Sequence, residues 1–82
     1  MPLTKFERYN RPVKIPRDYE PMVSMLIDAR LKRKLSQERL ANKIGCTSSL
    51  IHKWETHKRI PSGFMLICWL DALGYDIEVT ER

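Results

Sequence analysis

Between Thr47 and Arg59 the chain sets the short polar and cationic side chains Ser48, Ser49, His52, Lys53, Thr56, Lys58 and Arg59 around a single acid, Glu55. Hydroxyls, an imidazole and an ammonium can hydrogen-bond to base edges, and lysine, arginine and threonine commonly meet phosphate oxygens. This is the chemistry of recognition and not of bond breaking. Cys46, His52, His57 and Cys68 are zinc-ligand types, yet no close pair has finger-like spacing, and both cysteines read as core or interface thiols. There is no acid–base pair, nucleophile elbow or phosphate-cradling glycine loop. Gly45, Gly63 and Gly74 each fit a helix boundary. The expectation is no enzyme, no cofactor and no metal.

Charge supports a polyanion as the partner. The net charge of +5 is segregated: residues 1–20 carry +2, residues 21–60 carry +6 and residues 61–82 carry −3. A basic middle points to nucleic acid, and the acidic end to a different task. With 82 residues the chain has room for one small domain, which a partner subunit would help to stabilise. The longest apolar run, Phe64 to Leu70, is too short for a membrane span. Lys5, Glu7 and Arg8 leave no secretory leader legible, so two reduced thiols and a cytoplasmic protein are expected.

The elements that position these groups follow from capping signals and apolar spacing. Residues 1–20 contain Pro2, Pro12 and Pro16 and no sustained apolar period, which predicts a basic arm carrying Arg8, Arg11, Lys14 and Arg17. Such an arm can track a neighbouring groove or pack on its own domain. Residues 21–74 then read as the folded domain. Helix 1 is expected to start near Asp18 to Pro21 and to carry Val23, Leu26, Ile27, Arg30, Leu31 and Lys34, breaking at Leu35 and Ser36. Ser36 caps helix 2, Gln37 to Ile44, which Gly45 ends. Thr47 caps helix 3, which runs to about Thr56 with Ile51, Trp54, Leu50 and Thr47 toward the core. Ser62 caps helix 4, apolar nearly all round, so one side of it should meet another subunit. Residues 75–82 alternate apolar and polar, the period of a half-buried strand, for which a second copy is the simplest partner.

Two short helices joined by a glycine turn describe a helix-turn-helix. The run from Leu35 to Glu55 resembles the Xre/Cro-type family of bacterial and phage DNA-binding proteins. Gln37, Ala41, Gly45, Ile51 and Trp54 match its pattern, as do Trp54-Glu55 followed by Lys58, Arg59, Ile60, Pro61 and Ser62. The resemblance covers roughly residues 26–73. It implies an all-α, lambda-repressor-like fold of four to five short helices, here with a C-terminal β-strand pairing across a dimer. It also implies base reading by Ser48, Ser49, Lys53 and the neighbouring His52, and backbone contacts from Gln37, Thr47, Thr56, Lys58 and Arg59. Glu55, the only acid between Arg39 and Leu70, would pair with Arg30 of helix 1. Arg39 departs from the acid often found at its position, removing a capping box but adding a cation.

Function follows as an expectation: a homodimeric, double-stranded-DNA-binding transcriptional regulator, acting as a repressor at a palindromic operator. Phe64, Cys68, Trp69, Tyr75, Ile77 and Val79 are expected at the dimer interface. The alternative is an antitoxin of the HipB-like plan, binding a toxin protein and autoregulating its operon. A charge-driven RNA or anionic-surface binder is a third class, and the lack of an exposed aromatic platform argues against single-strand recognition.

Overall fold

A computed structural model of the chain describes residues 15–82, which form four helices: α1 Tyr19–Lys32, α2 Gln37–Ile44, α3 Ser48–Glu55 and α4 Gly63–Ala72. Most of the arm expected over residues 1–20 lies outside the described residues. Its last basic residue, Arg17, sits 3.8 Å from Asp18 with both side chains about four-fifths exposed, a pair worth little in solvent.

Local chemistry sets each boundary. Pro21 falls in the first turn of α1, where a missing N–H leaves no bond unmade. Asp18 holds the N-cap position without a side-chain bond. Ser36, Thr47 and Ser62 do cap: their hydroxyl oxygens accept from the N–H groups of Arg39, Leu50 and Met65 at 3.0, 3.2 and 3.2 Å. The cap at α2 therefore forms without the acid that a full capping box needs. Gly45 takes φ 91°, and the N–H groups of Gly45 and Cys46 both donate to the Ala41 carbonyl. That left-handed turn reverses the chain between α2 and α3 within three residues. Helix α1 ends earlier than its spacing predicts. Arg33 is its C-cap, and Lys34 lies outside the helix at φ 55°.

The core collects one stripe from every helix: Val23, Leu26 and Ala29; Leu40 and Ala41; Ile51 and Trp54; and Trp69 and Leu70, closed by Leu73 just past α4. Ala41 is small, so α2 and α3 pack closely, while α1 meets α3 and α4 meets α2. At the centre the rings of Trp54 and Trp69 lie 5.2 Å apart at 33°. This corrects one expectation. Trp69 is fully buried within the single chain and offers nothing to a partner subunit. Thr47 differs as well: it is exposed at the start of α3, because its hydroxyl is the cap.

Among the described residues there is no strand, and the fold is all-α. Past the Tyr75 N–H, which donates to the Leu70 carbonyl, residues 76–82 make no backbone hydrogen bond among the described residues. The alternation is present, but a strand exists only as part of a ladder, and the described residues supply no second one. Ile77 is half exposed and Val79 is 93% exposed.

The buried tryptophan pair carries the fold's largest packing contribution. Trp69→Ala should lower unfolding free energy by about 3–5 kcal/mol in urea denaturation. Leu31→Ala, at an exposed site on α1, should change it by about 0.5 kcal/mol or less.

Candidate nucleic-acid interface

Burial of Ile51 and Trp54 decides which way α3 faces. With those two side chains inward, Ser49, Lys53 and Thr56 form one outward row and Ser48 and His52 the row beside it, all exposed. Thr47 lies exposed at the N-terminal end of the face, and Lys58 and Arg59 lie exposed just beyond its C-terminal end. The loop that carries them is folded back, the N–H groups of both Lys58 and Arg59 reaching the Lys53 carbonyl at 2.8 and 3.2 Å. Arg39 and Lys43 add exposed cations on α2.

Glu55 is the one carboxylate on this helix, and it is turned inside. The Arg30 Nε donates to its Oε2 at 2.7 Å and the Arg30 Nη2 to its Oε1 at 3.0 Å, a two-bond fork. Side-chain exposures of 11% and 6% place the pair largely out of water. The Arg30 Nη1 also donates to the Leu35 carbonyl at 2.8 Å, and the Gln37 Nε2 donates to Glu55 Oε1 at 3.0 Å. Three segments therefore meet on one carboxylate, α1, the first residue of α2 and the last of α3, and the same guanidinium ties in the α1–α2 turn. The acid that would repel phosphate is neutralised, and the same bonds set the angle of α3.

Two residues expected at phosphates are placed differently. Gln37 is half-buried and gives one amide N–H to Glu55, which leaves it one for another acceptor. Thr56 directs both its donors, backbone N–H and hydroxyl, to the His52 carbonyl at 2.9 and 2.7 Å. Thr47, by contrast, accepts the Leu50 N–H on its oxygen and keeps its hydroxyl hydrogen available. The Gln37–Glu55 bond spans 18 residues and no sequence spacing announces it.

The dimer set is dispersed. Phe64 is 75% exposed and Ile67, one turn on, 54% exposed, while Cys68 and Tyr75 are half-buried. The Tyr75 ring lies 5.7 Å from the Arg33 guanidinium, whose Nη1 donates to the Ala29 carbonyl. Burial pushes the Cys46 thiol above its ordinary value, with neighbouring Cys68 adding to the shift, so it stays protonated at neutral pH. Burial raises the Tyr19 phenol too, Glu20 contributing second. Among the described residues no three His, Cys, Asp or Glu side chains are grouped to hold a metal, and no helix is long and apolar enough to cross a membrane.

A model of the helix-turn-helix family matches residues 26–79, well over half of the chain, and takes in α2, the Gly45 turn, α3 and α4. The chain belongs to the Xre-type helix-turn-helix DNA-binding family. No curated protein and no solved structure matches it significantly. This Xre-type protein is a DNA-binding regulator, and the match leaves the N-terminal arm and the first turns of α1 outside the shared pattern.

Removing Arg30 strands the Glu55 charge. Arg30→Ala should lower unfolding free energy by about 3 kcal/mol and weaken DNA binding in parallel. Gln37→Ala, which removes one bond of three to the carboxylate, should cost about 1 kcal/mol. Urea titration of both variants checks the ranking, and equal losses would contradict it.

Proposed function

We propose that this Xre-type regulator is a homodimeric repressor that inserts α3 into the major groove of a palindromic operator. The observation that carries the reading is the face of α3: acid-free, exposed, flanked by cations, with its one carboxylate drawn inside by Arg30. Ser48, Ser49, His52 and Lys53 read bases, and lysine favours guanine acceptors while serine is permissive. Thr47, Lys58, Arg59 and the remaining N–H of Gln37 hold the backbone, and Thr56 joins them if its hydroxyl turns from His52. The protein works in the cytoplasm on nucleoid DNA and represses by covering a promoter.

Dimerisation is supported by what the single chain leaves open. Phe64 and Ile67 of α4 and Ile77 and Val79 of the tail are exposed large apolar side chains, and residues 76–82 have no ladder partner among the described residues. A second copy would bury the former and pair the latter. Two α3 helices related by that two-fold axis address half-sites about one helical turn, ~34 Å, apart. The same open tail favours a second reading, an antitoxin whose tail adds as a strand to a toxin's sheet edge.

Selection from a random duplex-DNA library at near-physiological salt tests the reading. A two-fold motif is the expected result, and Ser49→Ala or Lys53→Ala should change its bases while leaving folding intact. Equal losses on every sequence would refute base reading. Ile77→Lys should shift the protein toward monomer by light scattering; an unchanged dimer would remove the tail from the interface.

A further inference from the structure

Among the described residues two that are not glycine hold left-handed backbone: Lys34 at φ 55° and His57 at φ 60°. A side chain with a Cβ is disfavoured there relative to glycine. For His57 the fold supplies a compensating contact, since its ring packs against Tyr19 with centroids 6.2 Å apart. Lys34 has no such return. Its side chain is exposed and makes no ion pair or hydrogen bond among the described residues.

The turn around Lys34 is nevertheless held from both sides. The Lys34 N–H donates to the Leu31 carbonyl at 2.9 Å, and the Leu35 N–H donates to the Arg30 carbonyl at 3.1 Å. The Leu35 carbonyl in turn accepts from Arg30 Nη1 at 2.8 Å. One guanidinium therefore grips both this turn and Glu55 at the end of α3. Lys34 is thus part of the rigid block that presents the α3 face, two residues before the Ser36 cap of α2. Its ammonium has no charge partner among the described residues, and it stands in a position where glycine would be conformationally easier.

We propose that Lys34 is a further DNA-backbone contact of this regulator, its ammonium meeting a phosphate beside the half-site that α3 reads. The inference rests on the DNA reading of α3. Lysine acts as a point charge on a flexible stem, so the contact adds affinity to any sequence and no base preference. Neutralising one phosphate releases condensed counterion, which registers as about 0.9 in the slope of log affinity against log salt.

The test compares wild type with Lys34→Gly, Lys34→Asn and Lys34→Arg, using a random-sequence DNA duplex titrated between about 50 and 200 mM salt, the range over which counterion release is measurable. The Gly and Asn variants should bind about three- to tenfold more weakly at the low-salt end, with slopes shallower by about 0.9, while Arg keeps the wild-type slope. Lys34→Gly should also melt about 4 °C above wild type, because the strained Cβ is gone. Wild-type slopes in both neutral variants would overturn the proposal, as would a Gly variant that melts below wild type. A wild-type protein that binds no duplex at all would instead overturn the DNA reading, and this contact with it.

Discussion

The Glu55 carboxylate, held by Arg30 and Gln37, is the constraint on which the arrangement of this small domain depends. Its two oxygens accept three hydrogen bonds from two side chains of different segments, and a carboxylate with 6% exposure is costly to leave without its charge partner. Because Arg30 also holds the Leu35 carbonyl, one guanidinium joins α1, the turn into α2 and the base of α3. Hydrophobic burial brings these helices together without specifying direction closely. The forked ion pair does specify it, since two parallel bonds tolerate little rotation.

Around that ion pair the apolar layers are arranged so that the recognition helix is anchored on one side only. Ile51 and Trp54 tie α3 to the core, with Trp54 against Trp69 of α4. The opposite side keeps hydroxyls, an imidazole and a lysine in water. The proposed reading face thus occupies the side of α3 that packing leaves unused. Among the described residues the outer side of α4 and the tail carry the opposite imbalance: exposed apolar groups and backbone groups without partners. A domain of this size has little buried surface in reserve, so the proposed second copy would both stabilise the fold by covering that face and fix the spacing between two α3 helices.

Most of the helical frame was legible because its signals are local. Ser36, Thr47 and Ser62 cap where a hydroxyl precedes an apolar-periodic run, and Gly45 turns the chain where no Cβ obstructs it. The outward row of α3 was legible too, because two large apolar residues one turn apart dictate the opposite face. Legibility failed where the answer depends on distant partners. Helix α1 stops before Lys34 although the spacing continues: Lys34 takes φ 55° and the Leu35 N–H closes back on the Arg30 carbonyl. Trp69 looked like interface in a helix apolar on every side, and only the position of Trp54 assigns it to the core. The tail's alternation describes a strand that the described residues do not pair.

By itself, then, the sequence determined the boundaries of α2, α3 and α4, the charge segregation and the residue types presented by α3, since capping, turn chemistry and apolar period act over a few residues. Tertiary structure alone decided that Gln37 completes the Glu55 site and shares its carboxylate with Arg30. Those outcomes depend on which polar groups meet across 18 or 25 residues of separation. Hydrogen bonds are short-ranged and directional, so they are settled only once packing has placed the groups that make them.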